Sequence, residues 1–349
     1  MPAMSSSTAN MHYIPVREDW LARHTEATLE PALPIVDPHH HLWDRPHWRY
    51  LLPELLADTN QGHNIVSTVF VQCRAMHRAE GPEAFQPVGE TEFVNGIAAM
   101  SASGGYGPTK VCEGIVGHVN LMIGDAAEEV LQAHIRAGGG RFRGIRHITS
   151  WDLDPVIMNP AYTPPKDIYF REDFRAGFAR LAPLGLSFDA WLYHPQIPDL
   201  TALARAFPHT PIVLDHVGGP LGSRAYAGRR DEVFADWRAS MAELATCPNV
   251  CVKLGGLGMR INGFGFEDAA DPPGSDALVA AWKPYIDSTI DRFGARRCMF
   301  ESNVPVDKGS YGYGVFWNAC KKRAAGASAV ERTALFSGTA SGFYKLGEA

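Results

Sequence analysis

Two histidines one residue apart, His39 and His41, end the short apolar run Ile35-Val36-Asp37 and are followed by Leu42-Trp43-Asp44. Side chains alternate across a strand, so Asp37, His39 and His41 share one face while Pro38 and His40 take the other. If that face looks into a barrel, two imidazoles converge on one point. Such a pair holds a divalent metal in a site with open positions, or polarises and protonates a polar substrate without one. A purification tag is a longer pure run at a terminus with no Leu-Trp-Asp behind it, so the cluster reads as functional.

The elements that must position this pair are legible in the rest of the chain. Apolar runs rich in β-branched residues recur at 35–37, 65–72, 111–120, 142–148, 186–193, 211–215, 250–254 and 298–301, each followed by a loop and an amphipathic stretch. That alternation predicts an α/β fold, a parallel sheet covered by helices, and eight units in one pass predict a single (β/α)8 TIM barrel. No glycine-rich phosphate fingerprint follows the first run, which counts against a dinucleotide-binding fold. Helices are expected at 89–100, 126–137, 170–184, 231–245, 275–293 and 329–344. Residues 1–32 read as an N-terminal arm with one short helix around Trp20 to Glu30, of the kind that covers a barrel's bottom or a neighbouring subunit. Residues 33–349 form the barrel.

Catalytic groups of such barrels sit at the C-terminal ends of different strands. The polar residues ending the runs are Gln72, Arg74 and His77 after the second, His118 and Asn120 after the third, and Arg146 and His147 after the fourth. Tyr193 and His194 end the fifth, Asp215 and His216 the sixth, Lys253 the seventh, and Glu301, Ser302 and Asn303 the eighth. Any one histidine alone is more often a core or surface residue than a ligand; their coincidence at strand ends carries the reading. Arg74 and Arg146 suit bidentate capture of a substrate carboxylate, with His147 and Tyr193 beside them as substrate contacts. The longer loops at 149–168 and 255–274 fall where barrel sites get their walls.

Composition narrows the class. Of 349 residues 46% are hydrophobic and 20% charged, and the net charge of -6 leaves no basic footprint for nucleic acid or an anionic membrane. The polar, Ser-rich start lacks a signal-peptide core and no apolar run reaches membrane-span length, so a cytoplasmic enzyme is expected. The cysteines (Cys73, Cys112, Cys247, Cys251, Cys298, Cys320) are scattered and suit buried thiols. The expected partners are a small-molecule substrate and, as protein, a second copy of the chain.

Asp37-Pro38-His39-His40-His41-Leu42-Trp43-Asp44, Leu214-Asp215-His216-Val217-Gly218-Gly219-Pro220, Val252-Lys253-Leu254-Gly255-Gly256-Leu257 and Met299-Phe300-Glu301-Ser302-Asn303-Val304-Pro305-Val306 resemble the amidohydrolase-related TIM-barrel family. More narrowly they are similar to the branch of sugar lactonases and 2-pyrone-4,6-dicarboxylate lactonase, from about Pro34 to Leu346. The resemblance implies hydrolysis of lactones or similar ester-like bonds and, in many members, one zinc ion; some lactonases of the branch need no metal. It also implies that His39, His41 and His194 are metal or carbonyl-polarising residues and His216 a catalytic one.

The chain departs from the family at the eighth run, where Gly-Ser-Asp-x-Pro reads Glu301-Ser302-Asn303-Val304-Pro305. An amide accepts no proton at neutral pH, so the usual water-activating base is missing from its place. Asn303 also binds zinc poorly, which leaves one weakly held Zn2+ or other divalent ion, or none. No lysine ends the fourth run, which argues against a two-metal site. Glu301 lies on the same strand face as Asn303, about 7 Å deeper, as a displaced base or as a partner that orients a histidine. His216 then serves as base, with Asn303 holding water or a substrate oxygen. The rival reading is a lyase of the same superfamily, a decarboxylase or hydratase, because hydrolysis specifically needs the lost aspartate.

Overall fold

The computed structural model describes residues 11–159 and 162–347. The first ten residues of the expected arm, and Pro160 of the expected wall loop, lie outside them. Among the described residues eight parallel strands follow one another round the sheet in chain order: β1 (Pro34–His40), β2 (Asn64–Val71), β3 (Lys110–Gly117), β4 (Phe142–Ile148), β5 (Ser187–Trp191), β6 (Ile212–Leu214), β7 (Val250–Leu254) and β8 (Cys298–Phe300). The ring closes just beyond β8, where Asn303 N donates to His39 O (3.0 Å) and His41 N to Val304 O (2.8 Å). This is the (β/α)8 barrel expected from the alternating runs.

Strand alternation sorts the apolar residues into two cores. Val36, Val69, Val71, Val116, Val213 and Met299 fill the barrel, with Ala340 and Tyr344 of the C-terminal segment plugging its floor. Ile35, Phe70, Ile145, Phe188, Ile212, Leu254 and Phe300 point outward into the helices, among them Val88–Ala102, Ala127–Ala137, Arg230–Leu244 and Ser275–Phe293. The helices expected at 170–184 and 329–344 are interrupted. The first shortens to Glu172–Phe178, followed by a 3-10 turn at Ala182–Leu184 that contains Pro183. The second runs through a π turn at Ala334–Gly338.

A bulge corrects the expected face of β1. Asp37 pairs with Thr68 and His40 with Phe70, so three steps on β1 oppose two on β2. The extra residue turns Asp37 away from His39 and out to Ser302 Oγ (2.5 Å) and Tyr313 OH (3.1 Å) of the outer helix Tyr313–Arg323. His39 and His41 remain together, with ring centroids 5.0 Å apart.

The arm also departs from expectation. Its helix is only Glu18–Leu21, because the following residues bond to the barrel wall instead of to one another. Glu26 accepts from Ser275 N (2.7 Å) and Asn318 Nδ2 (3.0 Å), and Lys321 Nζ donates to Leu29 O and Glu30 O (2.7 and 3.0 Å). Upstream, Arg17 and Trp20 donate to the carbonyls of Glu267, Ala269 and Ala270 in the loop after β7. The described part of the arm therefore runs from over the C-terminal face down the wall and, among the described residues, not across the bottom. Among the described residues no helix is long and apolar enough to cross a membrane, and all six cysteines are free thiols.

Candidate active site

A cavity opens at the C-terminal ends of the strands, lined by His41, Trp43, Gln72, Arg74, Arg146, Ile148, Trp191, His216 and Asn303 among others. Strand parity explains this set: Arg146 and Ile148 lie on the inner face of β4 and Trp191 on that of β5. His147, between them in sequence, faces outward. Its Nε2 meets Tyr162 OH (2.9 Å) and its ring packs on Phe174.

Glu301 organises the floor. Its carboxylate accepts from His216 Nδ1 (2.8 Å) and the His216 backbone N–H (2.9 Å) through one oxygen, and its other oxygen lies 2.6 Å from His39 Nδ1. A carboxylate only accepts, so the His216 imidazole carries its proton on Nδ1 and presents a lone pair at Nε2. The Nε2 of His39 accepts from Arg146 Nη1 (3.2 Å), whereas His216 lines the cavity. His41 has the same tautomer, because its Nδ1 donates to Val71 O (2.7 Å). Burial, reinforced by Arg146, holds His41 well below the ordinary histidine range, so it is a neutral acceptor.

Beneath these histidines lies a wholly buried ionic layer. Lys253 Nζ is 2.7 Å from Asp189 Oδ2, 3.1 Å from Asp215 Oδ1 and 3.3 Å from His39 Nδ1. Burial pushes Asp189 up to about 6 against the pull of Lys253. At Asp215 burial is outweighed by Lys253, His216 and Arg146, and the carboxyl sits below its usual range. Burial also disfavours the charged form of Lys253, yet Asp189, Asp215 and Glu301 together raise it. Arg146 is anchored to Gln72 O (2.5 Å) and lies 3.6 Å from Asp215 Oδ2. Its role is therefore tied to the floor as well as to any ligand.

Backbone strain concentrates here. Arg74, Met76, His216, Val217 and Asn303 all have positive φ, between 51° and 64°, a conformation non-glycine residues adopt only when the surroundings impose it. Glu90 imposes it on the loop carrying Arg74, accepting from Cys73 N (2.9 Å) and Ala75 N (2.8 Å). Gly256 makes room for His216: a Cβ there would lie 2.1 Å from its Nδ1. The amide of Asn303 is oriented by Asp307, whose Oδ1 accepts from Asn303 Nδ2 (2.9 Å). Asn303 Oδ1, Gln72 Oε1, Arg146 Nε and Trp43 Nε1, all on cavity-lining residues, have no hydrogen-bond partner in the protein. Buried polar atoms of this kind call for a polar ligand.

Of the candidates read from sequence, His39, His41, His216, Glu301, Asn303, Arg74 and Arg146 come together. His194 does not join them. β5 ends at Trp191, the chain turns, and His194 packs beside Tyr226 with its Nδ1 accepting from Leu221 N (3.3 Å). Tyr193 is buried behind the wall, its OH donating to Ile157 O (2.5 Å). His118 bonds Arg146 O. The residues that sequence reading missed are Trp191, Asp189, Asp307, His12 and Tyr13. The alternation Asp189-x-Trp191 contained the signal for the first two, and the helical spacing of Asp307 from Asn303 for the third.

Among the described residues one cluster could hold a metal ion: donor atoms of His39, His216 and Glu301 lie within 4.8 Å of one another. Two imidazoles and a carboxylate suit a single zinc ion. The set differs from the expected His39, His41 and His194, because His41 lies outside that group of close donors and β5 stops short of His194.

The amidohydrolase family profile matches residues 36–346. A protein of Sinorhizobium fredii with no assigned activity is 32% identical over 337 residues, 89% of this chain and 98% of its own. An L-fucono-1,5-lactonase of Burkholderia ambifaria is 32% identical over 246 residues, 68% of this chain and 72% of its own. The crystal structure of an amidohydrolase from Burkholderia multivorans with bound zinc matches with a TM-score of 0.69 at 26% identity, covering 90% of this chain and 99% of that one.

Proposed function

The chain belongs to the amidohydrolase family, and from that premise we propose that it is a cytoplasmic lactonase in which His216 activates water. The observation that carries the reading is the orientation of His216 by Glu301, through Nδ1 at 2.8 Å and the backbone N–H at 2.9 Å, with Asn303 beside it in the same cavity. Water donates one hydrogen to His216 Nε2 and the other to Asn303 Oδ1, and its oxygen attacks the lactone carbonyl carbon. Arg146 supports the negative charge that develops on the carbonyl oxygen. The ring C–O bond then breaks, His216 returns the proton to the departing alkoxide, and a hydroxy acid leaves. Asn303 thus takes over the positioning half of the missing aspartate's work, and the proton-accepting half passes to His216. When a divalent ion is bound, His39, His216 and Glu301 would hold it, and it would supply Lewis acidity toward carbonyl or water in place of the proton acceptance by a free His216.

The substrate class follows from the lining. Trp43 and Trp191 give the lining aromatic surface suited to the C–H face of a small ring. The unpartnered acceptors Gln72 Oε1 and Asn303 Oδ1 match hydroxyl or water hydrogens, and Arg74 suits a carboxylate or ring oxygen. The name of the Burkholderia ambifaria relative, an L-fucono-1,5-lactonase, supports a small hydroxylated lactone. The test is a proton-release assay over sugar δ- and γ-lactones and a pyrone dicarboxylate. Turnover of at least one, lost in His216→Ala, is expected. If no lactone or ester is turned over and Asn303→Asp creates hydrolysis, the natural reaction is the lyase chemistry of the superfamily instead.

A further inference from the structure

We propose that His12 and Tyr13, carried on the N-terminal arm, form the outer wall of the substrate site and determine which lactones it admits; the substrate class rests on the hydrolytic reading above. Both residues line the same cavity as His41, His216 and Asn303, although more than 180 residues separate them in sequence from His216 and Asn303.

The wall is built. The imidazole of His12 bonds Ile157 O through Nε2 (2.7 Å), and the same nitrogen lies 3.2 Å from Tyr193 OH, which also donates to Ile157 O. This ties the arm to the loop after β4, which contributes Asn159 to the cavity. Burial pushes His12 down to about 4, so its ring is neutral and the bond to Ile157 is a simple N–H donation. Tyr13 meets Trp43 and Trp48 edge-on, with centroids 6.2 and 6.1 Å away, and the guanidinium of Arg45 sits 4.9 Å from its ring. Trp43 in turn stacks on His41 at 5.8 Å, so the arm's aromatic ring is continuous with the chemical centre. Ile14 then rests directly on Gly309, where an added Cβ would come within 2.4 Å of Ile14 Cβ and 2.7 Å of Ile14 O. With Arg17 and Trp20 bonded further along, the segment is held at several successive points across the mouth.

The wall carries an aromatic ring and a neutral imidazole, and neither suits a charged substituent. It favours the uncharged C–H and hydroxyl face of a compact ring and leaves no room for a bulky or fused one. Gly309→Ala should push the segment outward without altering any cavity-lining side chain, while His12→Ala and Tyr13→Ala remove the wall itself.

The test compares kcat/KM for glucono-δ-lactone, compact and hydroxylated, with that for dihydrocoumarin, a fused aromatic lactone. Tyr13→Ala and Gly309→Ala are expected to shift the ratio toward dihydrocoumarin by about tenfold or more, in the range that steric selection by a pocket supplies, mainly through KM. A second measurement needs no turnover: the rate at which a bulky maleimide labels Cys73, a buried thiol on the cavity lining, with Cys112 and Cys298, buried outside that lining, as internal controls. Labelling of Cys73 alone should accelerate by about tenfold when the arm is loosened. If the wild type turns over neither lactone nor any other, the hydrolytic reading falls and the labelling alone decides the wall. An unchanged selectivity ratio, or equal labelling in the absence of turnover, overturns the proposal. Should Gly309→Ala fail to fold, His12→Ala and Tyr13→Ala carry both measurements.

Discussion

Replacing Glu301 by glutamine keeps the size and removes the charge, and the structure says why that is severe. One carboxylate oxygen receives His216 Nδ1 and His216 N, and the other lies 2.6 Å from His39 Nδ1. An amide offers one oxygen and one NH2 group, so one imidazole must face a donor. If that is His216, its Nδ1 becomes the acceptor, its proton moves to Nε2, and the lone pair that takes the proton from water is gone. If it is His39, its Nε2 carries the proton and opposes the Arg146 N–H, 3.2 Å away. The first outcome removes the base and costs on the order of 10²–10⁴ in kcat. The second leaves a buried donor unsatisfied and costs about 1–3 kcal/mol of stability. Turnover by proton release and urea denaturation of Glu301→Gln measure the two, with zinc content determined in parallel so that loss of a bound ion is seen separately. Because Glu301 acts through His216, the double variant with His216→Ala should be no slower than His216→Ala alone. A Glu301→Gln enzyme within about threefold of wild type in kcat, or additive losses in the double variant, would refute the reasoning.

The other expectations are simpler. His216→Ala should lose about 100-fold or more in kcat and Asn303→Ala less, measured with the same lactone; equal losses would mean that Asn303 does more than hold water. Lys253→Met leaves Asp189 and Asp215 without their shared cation and should destabilise the fold by about 3–5 kcal/mol in denaturant titration. His134 is buried on an outer helix, not among the cavity-lining residues, against Thr91 and Phe142, and burial pushes it down to about 3 from 6.5. Its folded form stays neutral where the unfolded chain is protonated, so its contribution is intact above 6.5 and is lost as pH falls toward 3. Wild type should lose stability relative to His134→Gln by up to about 1.4 kcal/mol per pH unit in that window, and a pH-independent difference would contradict this. Equilibrium dialysis should find at most one divalent ion per chain, since the described residues contain one cluster of suitable donors.

Repeated local patterns made the barrel legible in the sequence. β-branched runs and intervening amphipathic stretches are short-range features, and β4 and β7 fall where those runs begin and end. The strand-end residues of β1, β2, β4, β6 and β8 were legible for the same reason: the C-terminal end of each strand is written in its own few residues. Parity counted from a single strand is weaker, because one bulge reverses it. The bulge in β1 turned Asp37 outward, and the early end of β5 left His194 and Tyr193 behind the wall. What no local pattern contains is which distant groups share a proton or a surface. The hold of Glu301 on His216, the ionic layer around Lys253 and the seat of His12 and Tyr13 over the cavity exist only once the ring has closed and the arm has been tied down. Residue types and spacing determined the scaffold and the candidate reacting groups. The tertiary structure decided their tautomers, partners and walls, because hydrogen bonds and burial act between neighbours in space, whatever their separation along the chain.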